Sequence, residues 1–549
     1  MSAPLLDIRG LHVALPPGSD REHAVEDVSF TVGEGEIVCV VGESGSGKSL
    51  TARAVMGLLP EPKVRVSAGE IDFDRRDLLK LSKSERRLLR GERLSMIFQE
   101  PMTALNPLMT VGDQIQEVLL VHRPDLSRGD RHAQVVALLE EVHLPEPPRI
   151  AASYPHELSG GQRQRAMIAM ALILDPKLLV ADEPTTALDV TTQAQILKLI
   201  AELQARHGTG VMFITHDFGV VAEVAHRIVV MQHGRIVEAG PAASILDRPA
   251  EPYTKALIAA IPSLSPPPSR IDPAAPSVLK VDDLTKTYRT GGGGLFGKKR
   301  EVHAAKTVSF HLRRGETLGI VGESGSGKTT VARCLVRLLQ PDGGAIDLGG
   351  LDLAPLSRRA LRPHRKRIQM VFQDPFASLN PRRTIGDILA EGPITHGTAR
   401  SAAFARAREL LSLVGLDPKA ADRYPHEFSG GQRQRIGLAR ALTLDPEVLV
   451  ADEPVSALDV SVQAQVLTLI ADIRDRLGLS IVFITHDLRV AAQICDRIAV
   501  MKQGDVVEAG DVAAVFADPQ HAYTRELLAS IPGRSWTPPE LSDPLPAAQ

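Results

Sequence analysis

The segment IVCVVGESGSGKSLTARAVM, residues 37–56, leads from an apolar run through a glycine-rich loop into a helical stretch. We predict a strand over 37–41, a loop over 42–49 and a helix over 50–59. The glycines permit the tight path that turns backbone N–H groups toward phosphate oxygens, and the helix N-terminus adds partial positive charge. The segment therefore predicts a phosphate-binding site in an α/β domain.

The residues of this loop have different predicted roles. We expect Lys48 to reach the β- and γ-phosphates of a nucleotide and Ser49 to offer its hydroxyl to Mg²⁺. The predicted nucleotide-contacting residues of the first loop are Gly42, Glu43, Ser44, Gly45, Ser46, Gly47, Lys48 and Ser49.

The loop occurs twice in the chain. VGESGSGK at 41–48 recurs at 321–328, and a second motif, SGGQRQR at 159–165, recurs at 429–435. A repeat of about 270 residues in a chain of 549 predicts two large α/β domains rather than a solenoid. The second loop contributes Gly322, Glu323, Ser324, Gly325, Ser326, Gly327, Lys328 and Thr329.

The repeat also sets the predicted domain boundaries. Residues 1–261 form the first domain with its C-terminal tail, and 278–535 form the second with its tail. Between them, 262–277 reads PSLSPPPSRIDPAAPS, in which six prolines in sixteen residues predict a linker. We expect residues 536–549 to be a flexible C-terminus and the run Gly291–Gly294 to be a flexible hairpin insertion, for which we have no function.

Paired carboxylates end an apolar run in each half. LLVADEP at 178–184 predicts a buried strand ending in Asp182 and Glu183, and VLVADEP repeats it with Asp452 and Glu453. Side chains alternate along a strand, so the two acids of a pair can take different roles. We expect the aspartate to join the Mg²⁺ shell and the glutamate to act as general base on the attacking water. The alternative is an acidic cluster capping a following helix.

A histidine follows a predicted strand in each half. His216 comes after VMFIT and His486 after IVFIT, where each is expected to contact a γ-phosphate; a lone histidine there would more often be structural. The recurrence beside the other motifs favours the catalytic role.

Composition narrows the function classes. The chain is 44% hydrophobic and 23% charged with a formal net charge of -3, which gives no indication of nucleic-acid binding. The longest wholly apolar stretch, Ala166–Leu174, is nine residues long, about half of what a membrane-spanning helix needs. The start lacks the pattern of a secretory signal, so we predict a cytoplasmic location. The three cysteines form no metal-binding or disulfide pattern, and we interpret them as packing residues.

SGGQ before a helix, the glutamine of FQEP and FQDP, and ALDV after each ADEP together resemble the ATP-binding subunits of ABC transporters. The resemblance covers about 5–261 and 278–532. It implies two tandem phosphate-loop ATPase domains, each with a mixed sheet core and a helical signature subdomain. It also implies ATP and Mg²⁺ as cofactors, and head-to-tail pairing in which each ATP lies between the loop of one domain and the signature of the other.

The resemblance assigns residues to two composite sites. Site one would combine Lys48, Ser49, Gln99, Asp182, Glu183 and His216 with Ser429, Gly430, Gly431 and Gln432. Site two would combine Lys328, Thr329, Gln373, Asp452, Glu453 and His486 with Ser159, Gly160, Gly161 and Gln162. The Mg²⁺ shells implied are Ser49, Gln99 and Asp182, and Thr329, Gln373 and Asp452.

Two further expectations follow from the same resemblance. Asp189 and Asp459 should cross the interface between the domains. An aromatic residue that stacks on adenine is matched by Tyr288 in the second half, whereas the first half has Leu15 at the aligned place, so site one is expected to bind ATP more weakly. Both sites retain the residues needed for hydrolysis.

The tails after each domain, which contain PYT at 252–254 and AYT at 522–524, look like those of the dipeptide, oligopeptide and nickel importers. The prediction is the motor of a peptide importer on the cytoplasmic face of the cell membrane, with two membrane permease subunits and an extracytoplasmic binding protein as partners. Glutathione, opines and nickel stay open as cargo. A soluble tandem ATPase acting on ribosomes or DNA and the motor of an exporter are the alternatives.

Overall fold

The computed structural model describes residues 3–186, 188–269, 271–272, 274–290, 300–374, 378–456 and 458–539. It divides into two compact units. Unit 1 comprises Met1–Leu188, Thr192–Ile261 and Ile531–Gln549, and unit 2 comprises Asp189–Thr191 and Pro262–Ser530. The predicted insertion at Gly291–Gly294 and residues 540–549 of the predicted flexible C-terminus lie outside the described residues.

Unit 1 contains two sheets. Its strands are β1 Leu6–Ala14, β2 His23–Val32, β3 Ile37–Val41, β4 Arg65–Phe73, β5 Arg76–Asp77, β6 Leu94–Ile97, β7 Leu178–Asp182, β8 Gly210–Ile214, β9 Arg227–Gln232 and β10 Arg235–Pro241. An antiparallel sheet has the order β2-β1-β4-β5, and a six-stranded sheet has the order β10-β9-β3-β8-β7-β6. The six-stranded sheet is parallel apart from its edge strand β10. It is therefore a mixed sheet, as predicted.

The helices of unit 1 cover the sheets and form a separate helical region around the signature motif. They are α1 Lys48–Met56, α2 Lys83–Leu89, α3 Pro101–Ala104, α4 Val111–His122, α5 Arg128–Glu141, α6 Pro147–Ala152, α7 Gly160–Leu172, α8 Val190–His207, α9 Phe218–Val224, α10 Ala242–Asp247 and α11 Pro252–Ala259.

Strand β3 shows how the sequence builds the core. All five of its residues are buried. Ile37, Cys39 and Val41 belong to the apolar cluster on the side of the helices α4 to α8, whereas Val38 and Val40 belong to the cluster shared with α1 and the antiparallel sheet. A strand covered on both faces must be apolar at every position, which explains the unbroken apolar run before the loop. The cysteine is a packing residue, as predicted.

Unit 2 repeats this architecture. Its strands are β11 Ser277–Thr290, β12 Arg300–Arg313, β13 Thr317–Val321, β14 Gly343–Leu348, β15 Ile368–Val371, β16 Val448–Asp452, β17 Ser480–Thr485, β18 Arg497–Lys502 and β19 Asp505–Asp511. The sheets have the orders β12-β11-β14 and β15-β16-β17-β13-β18-β19. The predicted α/β class with mixed sheets is confirmed in both units.

The helices of unit 2 follow the same plan. Those within the described residues are α12 Lys328–Leu335, α13 Arg358–Leu361, α14 Ile385–Thr395, α15 Arg400–Leu413, α16 Gly430–Leu442, α17 Val460–Leu477, α18 Leu488–Ile494, α19 Val512–Ala517 and α20 Ala522–Ala529.

The parallel strands bring the predicted motifs to one edge of each large sheet. In unit 1, β3, β7 and β8 run in the same direction and end at Val41, Asp182 and Ile214. Ligands bind beyond the carboxyl ends of strands in such sheets. The loop, the carboxylate pair and the histidine therefore meet there.

Two local expectations change. The helix expected over residues 50–59 begins at Lys48 and ends at Met56, because Gly57 adopts a left-handed conformation (φ 62°) that closes the helix. The alternative interpretation of the acidic pair as a helix cap is wrong, since the next helix begins only at Val190.

Across the part of the chain that the structure describes, no helix is both long enough and apolar enough to cross a bilayer.

Gly437 in α16 is a position where alanine should stabilise unit 2. A Cβ added there meets no heavy atom within 4 Å, and the backbone is helical. Alanine favours a helix over glycine by about 0.5–1 kcal/mol, so Gly437→Ala should raise the midpoint of thermal unfolding by about 1–3 °C. At Gly386 in α14, by contrast, an added Cβ lies 2.9 Å from the carbonyl oxygen of Ala421. Gly386→Ala should lower the midpoint. A lower midpoint for both variants would contradict the conclusion that the space beside Gly437 can hold a methyl group.

Candidate functional site

The phosphate loop of unit 1 surrounds the ammonium of Lys48. The Lys48 Nζ donates to the carbonyl oxygens of Gly42 at 2.7 Å and Glu43 at 2.8 Å. Gly42 has φ 146°, and a Cβ there would lie 2.2 Å from the carbonyl oxygen of Met231 at the end of β9. Only glycine fits this position, so the loop has one path past the sheet.

The loop of unit 2 has the same geometry. Lys328 Nζ donates to the carbonyl oxygens of Gly322 at 2.7 Å and Glu323 at 2.8 Å. Gly322 has φ 150°, and its added Cβ would lie 2.3 Å from the carbonyl oxygen of Met501. Burial lowers the pKa of Lys328. Nearby carboxylates raise this pKa, but their effect is smaller than that of burial. A buried lysine inside a loop of backbone amides suits a bound phosphate chain.

The hydroxyl after each lysine contacts the strand-end aspartate. Ser49 Oγ donates to Asp182 Oδ1 at 2.8 Å, and Thr329 Oγ1 donates to Asp452 Oδ1 at 3.2 Å. Both aspartates are buried. These are hard oxygen donors next to the place for phosphates, which is the donor set that Mg²⁺ prefers. The residues present therefore fit the predicted ion.

Glu183 points into a different set of contacts from its neighbour. Gln99 Nε2 donates to Glu183 Oε2 at 3.0 Å, and Thr186 Oγ1 donates to the same oxygen at 2.9 Å. His216 Nδ1 lies 3.5 Å from Glu183 Oε1. The two adjacent carboxylates thus serve two partner sets, as strand alternation predicts.

In unit 2, Glu453 has matching partners. Gln373 Nε2 donates to Glu453 Oε2 at 2.8 Å, and His486 Nδ1 lies 3.2 Å from the same oxygen. The glutamine, the strand-end glutamate and the histidine therefore form a three-residue group in each unit, from segments far apart in the chain.

The aspartate and the glutamate of each pair have pKa values shifted in opposite directions. Burial raises the pKa of Asp182, and it raises the pKa of Asp452 to about 6. For Glu183, burial pushes the pKa upward, but the hydrogen bond and charge of His216 outweigh it and bring the pKa down to about 2. Glu453 has a lowered pKa through His486 in the same way. Both glutamates are therefore ionised at neutral pH and able to accept a proton or polarise a water molecule.

Both glutamates have an unusual backbone. Glu183 has φ 48° and Glu453 has φ 46°, in the left-handed region that side-chain-bearing residues avoid. The same conformation recurs in both units, and such conformations cluster at functional positions.

The signature motif begins a helix in each unit. Ser159 caps α7, with its Oγ accepting from the N–H of Gln162 at 3.3 Å and the Gln162 Oε1 accepting from the N–H of Ser159 at 3.0 Å. Ser429 and Gln432 form the same reciprocal pair at α16. The backbone amides of Gly160 and Gly161, and of Gly430 and Gly431, form the first turn of each helix after these caps. The pairing of either signature with the opposite loop stays a prediction.

The other predicted residues have these positions. Asp189 lies in the short segment Asp189–Thr191 that groups with unit 2, and Asp459 precedes α17. Tyr288 on β11 is 39% exposed, with its hydroxyl 3.4 Å from Thr330 Oγ1, just after the loop of unit 2. Its place is suitable for stacking on a base; that role stays a prediction.

Tyr253 and Tyr523 contact the phosphate loops, and this contact was not predicted from the sequence. The N–H of Glu43 in the first loop donates to the hydroxyl of Tyr253 in the tail helix α11 at 3.1 Å. In unit 2 the N–H of Glu323 donates to the hydroxyl of Tyr523 in α20 at 3.2 Å. The recurrence of both tyrosines at one offset was visible in the sequence and was the available signal.

The chain matches two family models. The model described as "ABC transporter" matches residues 25–186 and 305–456. The model described as "Oligopeptide/dipeptide transporter, C-terminal region" matches residues 237–296 and 507–539, which include both tail tyrosines.

Relatives match over nearly the full length. The glutathione import ATP-binding protein GsiA of Shigella dysenteriae serotype 1 is 47% identical over 558 residues, covering 96% of this chain and 89% of that protein. The peptidoglycan transport ATP-binding protein YejF of Agrobacterium fabrum is 47% identical, with 96% of both chains covered. A solved dimeric ATP-binding cassette bound to ADP and phosphate is 29% identical, covering 43% of this chain and 98% of that chain with a TM-score of 0.39.

Proposed function

Because this chain belongs to the ABC transporter family of ATP-binding proteins, we propose that it is the ATP-hydrolysing motor of an importer whose cargo is a short peptide. The observation that carries the cargo class is the match of both tails to the C-terminal region of oligopeptide and dipeptide transporters. Relatives named for glutathione import and for peptidoglycan transport support a peptide-like cargo.

The residues of each unit divide the hydrolysis reaction among them. Lys48 and the loop amides bind the phosphates, and Glu183, ionised beside His216, accepts a proton from the attacking water. His216 and Gln99 hold the carboxylate in orientation from two sides. Lys328, Glu453, His486 and Gln373 take these roles in unit 2.

We assign the Mg²⁺ ion to the hydroxyl and aspartate beside each loop. Ser49 and Asp182 would hold it in unit 1, and Thr329 and Asp452 in unit 2, with Gln99 and Gln373 as further oxygen ligands. The ion would neutralise charge on the phosphate oxygens.

Coupling to transport would run through the glutamines. Gln99 contacts the catalytic Glu183 and lies between β6 and α3, at the start of the helical region. Under this proposal, a change at the γ-phosphate would reach that region through Gln99. ATP must bind better to one conformation than to the other for this coupling to drive import.

The partners we propose are two membrane permease subunits and an extracytoplasmic binding protein, with this chain on the cytoplasmic face of the cell membrane. Transport needs a path through the bilayer and a subunit that selects cargo. Dipeptides, longer peptides, glutathione, opines and nickel would all be driven by the same motor, so the cargo must be measured.

Uptake in cells tests the proposal. Cells that carry wild-type chain or the Glu183→Gln/Glu453→Gln variant receive radiolabelled di- and tripeptides, glutathione or nickel. We expect uptake of a peptide or of glutathione to fall at least about tenfold in the variant at equal expression, because hydrolysis drives accumulation. Lys198→Ala, at an exposed lysine on α8, is the control. Loss of nickel uptake alone would contradict the peptide assignment.

If uptake of every solute is unchanged, the importer assignment fails and the alternatives are tested. Copurification of ribosomal proteins or DNA with the tagged chain would then support a soluble ATPase. If permeases copurify with the tagged chain and cells that carry it lose a solute to the medium, the results would support an exporter.

A further inference from the structure

The tail helices contact the phosphate loops through one residue each. Tyr253 lies in α11 and Tyr523 in α20, and the hydroxyl of each accepts the N–H of the second residue of the loop in its own unit. In unit 1 the Tyr253 hydroxyl also lies 3.4 Å from Glu43 Oε2, to which it donates. About 200 residues of sequence separate the partners in both units.

The bonded N–H belongs to a peptide group with a second anchor. The carbonyl of Gly42 and the N–H of Glu43 are the two polar ends of one peptide plane. Lys48 Nζ holds the carbonyl end at 2.7 Å, and Tyr253 holds the N–H end at 3.1 Å. In unit 2 Lys328 and Tyr523 hold the matching plane at 2.7 Å and 3.2 Å.

This plane controls the shape of the loop. It follows Gly42, whose φ of 146° only glycine readily adopts, so the backbone there has little steric restraint of its own. Hydrogen bonds at both ends replace that restraint. Because the loop is continuous and short, the orientation of this plane constrains the path of the backbone that follows it.

We propose that Tyr253 and Tyr523 are positioning residues of ATP hydrolysis, which hold the phosphate loop in its binding shape and join each tail helix to a nucleotide site. The inference rests on the ATPase activity of the proposed function. It gives the tails a role in nucleotide affinity that does not follow from the sequence pattern.

Burial and packing around the two tyrosine side chains restrict the positions of their hydroxyls. Tyr523 is 3% exposed, and Lys502 Nζ lies 4.3 Å from its ring centre. Burial raises the pKa of the Tyr523 phenol, so it stays protonated and available as a hydrogen-bond partner. Tyr253 packs against the main apolar cluster of unit 1.

The test removes only the two hydroxyls. In the full-length chain, Tyr253→Phe/Tyr523→Phe should raise the KM for MgATP and the Kd for a fluorescent ATP analogue by about 3- to 10-fold, the range for losing the hydrogen bond to the loop N–H in each unit. The kcat should stay within about twofold, because the glutamate and histidine are untouched. Hydrogen exchange in peptides that span Gly42–Gly47 and Gly322–Gly327 should be faster in the variant.

Thr254→Val is the matched control. Thr254 neighbours Tyr253 on α11 and is fully buried, and its hydroxyl has no hydrogen-bond partner among the described residues. Removing that hydroxyl should leave KM, Kd and loop exchange unchanged. If the double variant unfolds, the single variants are measured by loop exchange and Kd in the same way.

The outcomes separate two failures. A wild-type chain that hydrolyses no ATP would contradict the proposed function itself. An active wild type with unchanged KM, Kd and loop exchange in the tyrosine variant would overturn the positioning role, as would an equal effect of Thr254→Val. A fall in kcat alone would also overturn it.

Discussion

Replacing Glu183 and Glu453 together by glutamine should lower the kcat of ATP hydrolysis by a factor of roughly 10² to 10⁴ while ATP binding is retained. Glutamine has nearly the shape of glutamate but accepts no proton at neutral pH. The wild-type carboxylates are ionised, with the pKa of Glu183 about 2 beside His216. Steady-state phosphate release gives kcat, and binding of a fluorescent ATP analogue gives affinity.

The control is Glu202→Gln, at an exposed glutamate on α8. It changes net charge by the same amount per site and should leave kcat unchanged. The single variants Glu183→Gln and Glu453→Gln show whether both units hydrolyse. A double variant with kcat within about fivefold of wild type would contradict the assignment of the glutamates as bases.

Replacing Lys48 and Lys328 by alanine should weaken MgATP binding at least about 100-fold. A hydrogen bond to a charged group contributes about 1.5–3 kcal/mol, and each lysine is placed to make two or more with the phosphates. In the wild type, each lysine ammonium donates hydrogen bonds to two carbonyl oxygens of its own loop, and the substitution removes these bonds as well. The loop therefore loses both a phosphate ligand and an internal restraint.

Equilibrium titration with the fluorescent analogue measures this effect. Lys198→Ala removes a lysine that is 79% exposed and should leave Kd unchanged. Single alanine variants report each unit by itself. Retained affinity in the double variant would show that the phosphates bind elsewhere.

Much of the fold was predictable because its signals are local. The apolar run Ile37–Val41 forms strand β3 with the predicted limits. Asp182 and Glu183 contact different partners, as expected for neighbouring side chains that alternate along a strand. The start of α1 was misplaced by two residues because its first turn is formed by Lys48 itself. The end was visible in principle, since Gly57 is a common helix terminator.

The tail contacts were not predictable for a physical reason. Periodicity and composition indicate that α11 is a helix with a buried side, but they do not say which loop that side meets. The partners Glu43 and Tyr253 are 210 residues apart, so only the tertiary arrangement of the strands brings them together. The resemblance assigns Gln99 and Glu183 to one site, but their contact through Nε2 and Oε2 depends on the tertiary structure and does not follow from the sequence.

The left-handed backbone at Glu183 and Glu453 has an evolutionary consequence. A conformation of this kind costs of order 1–3 kcal/mol for a residue with a side chain, which glycine or asparagine would largely relieve. Selection for folding alone would therefore remove glutamate from both positions, whereas selection for turnover retains it. Drift in a lineage that no longer needs hydrolysis at one unit should begin there, with a more stable protein as its product.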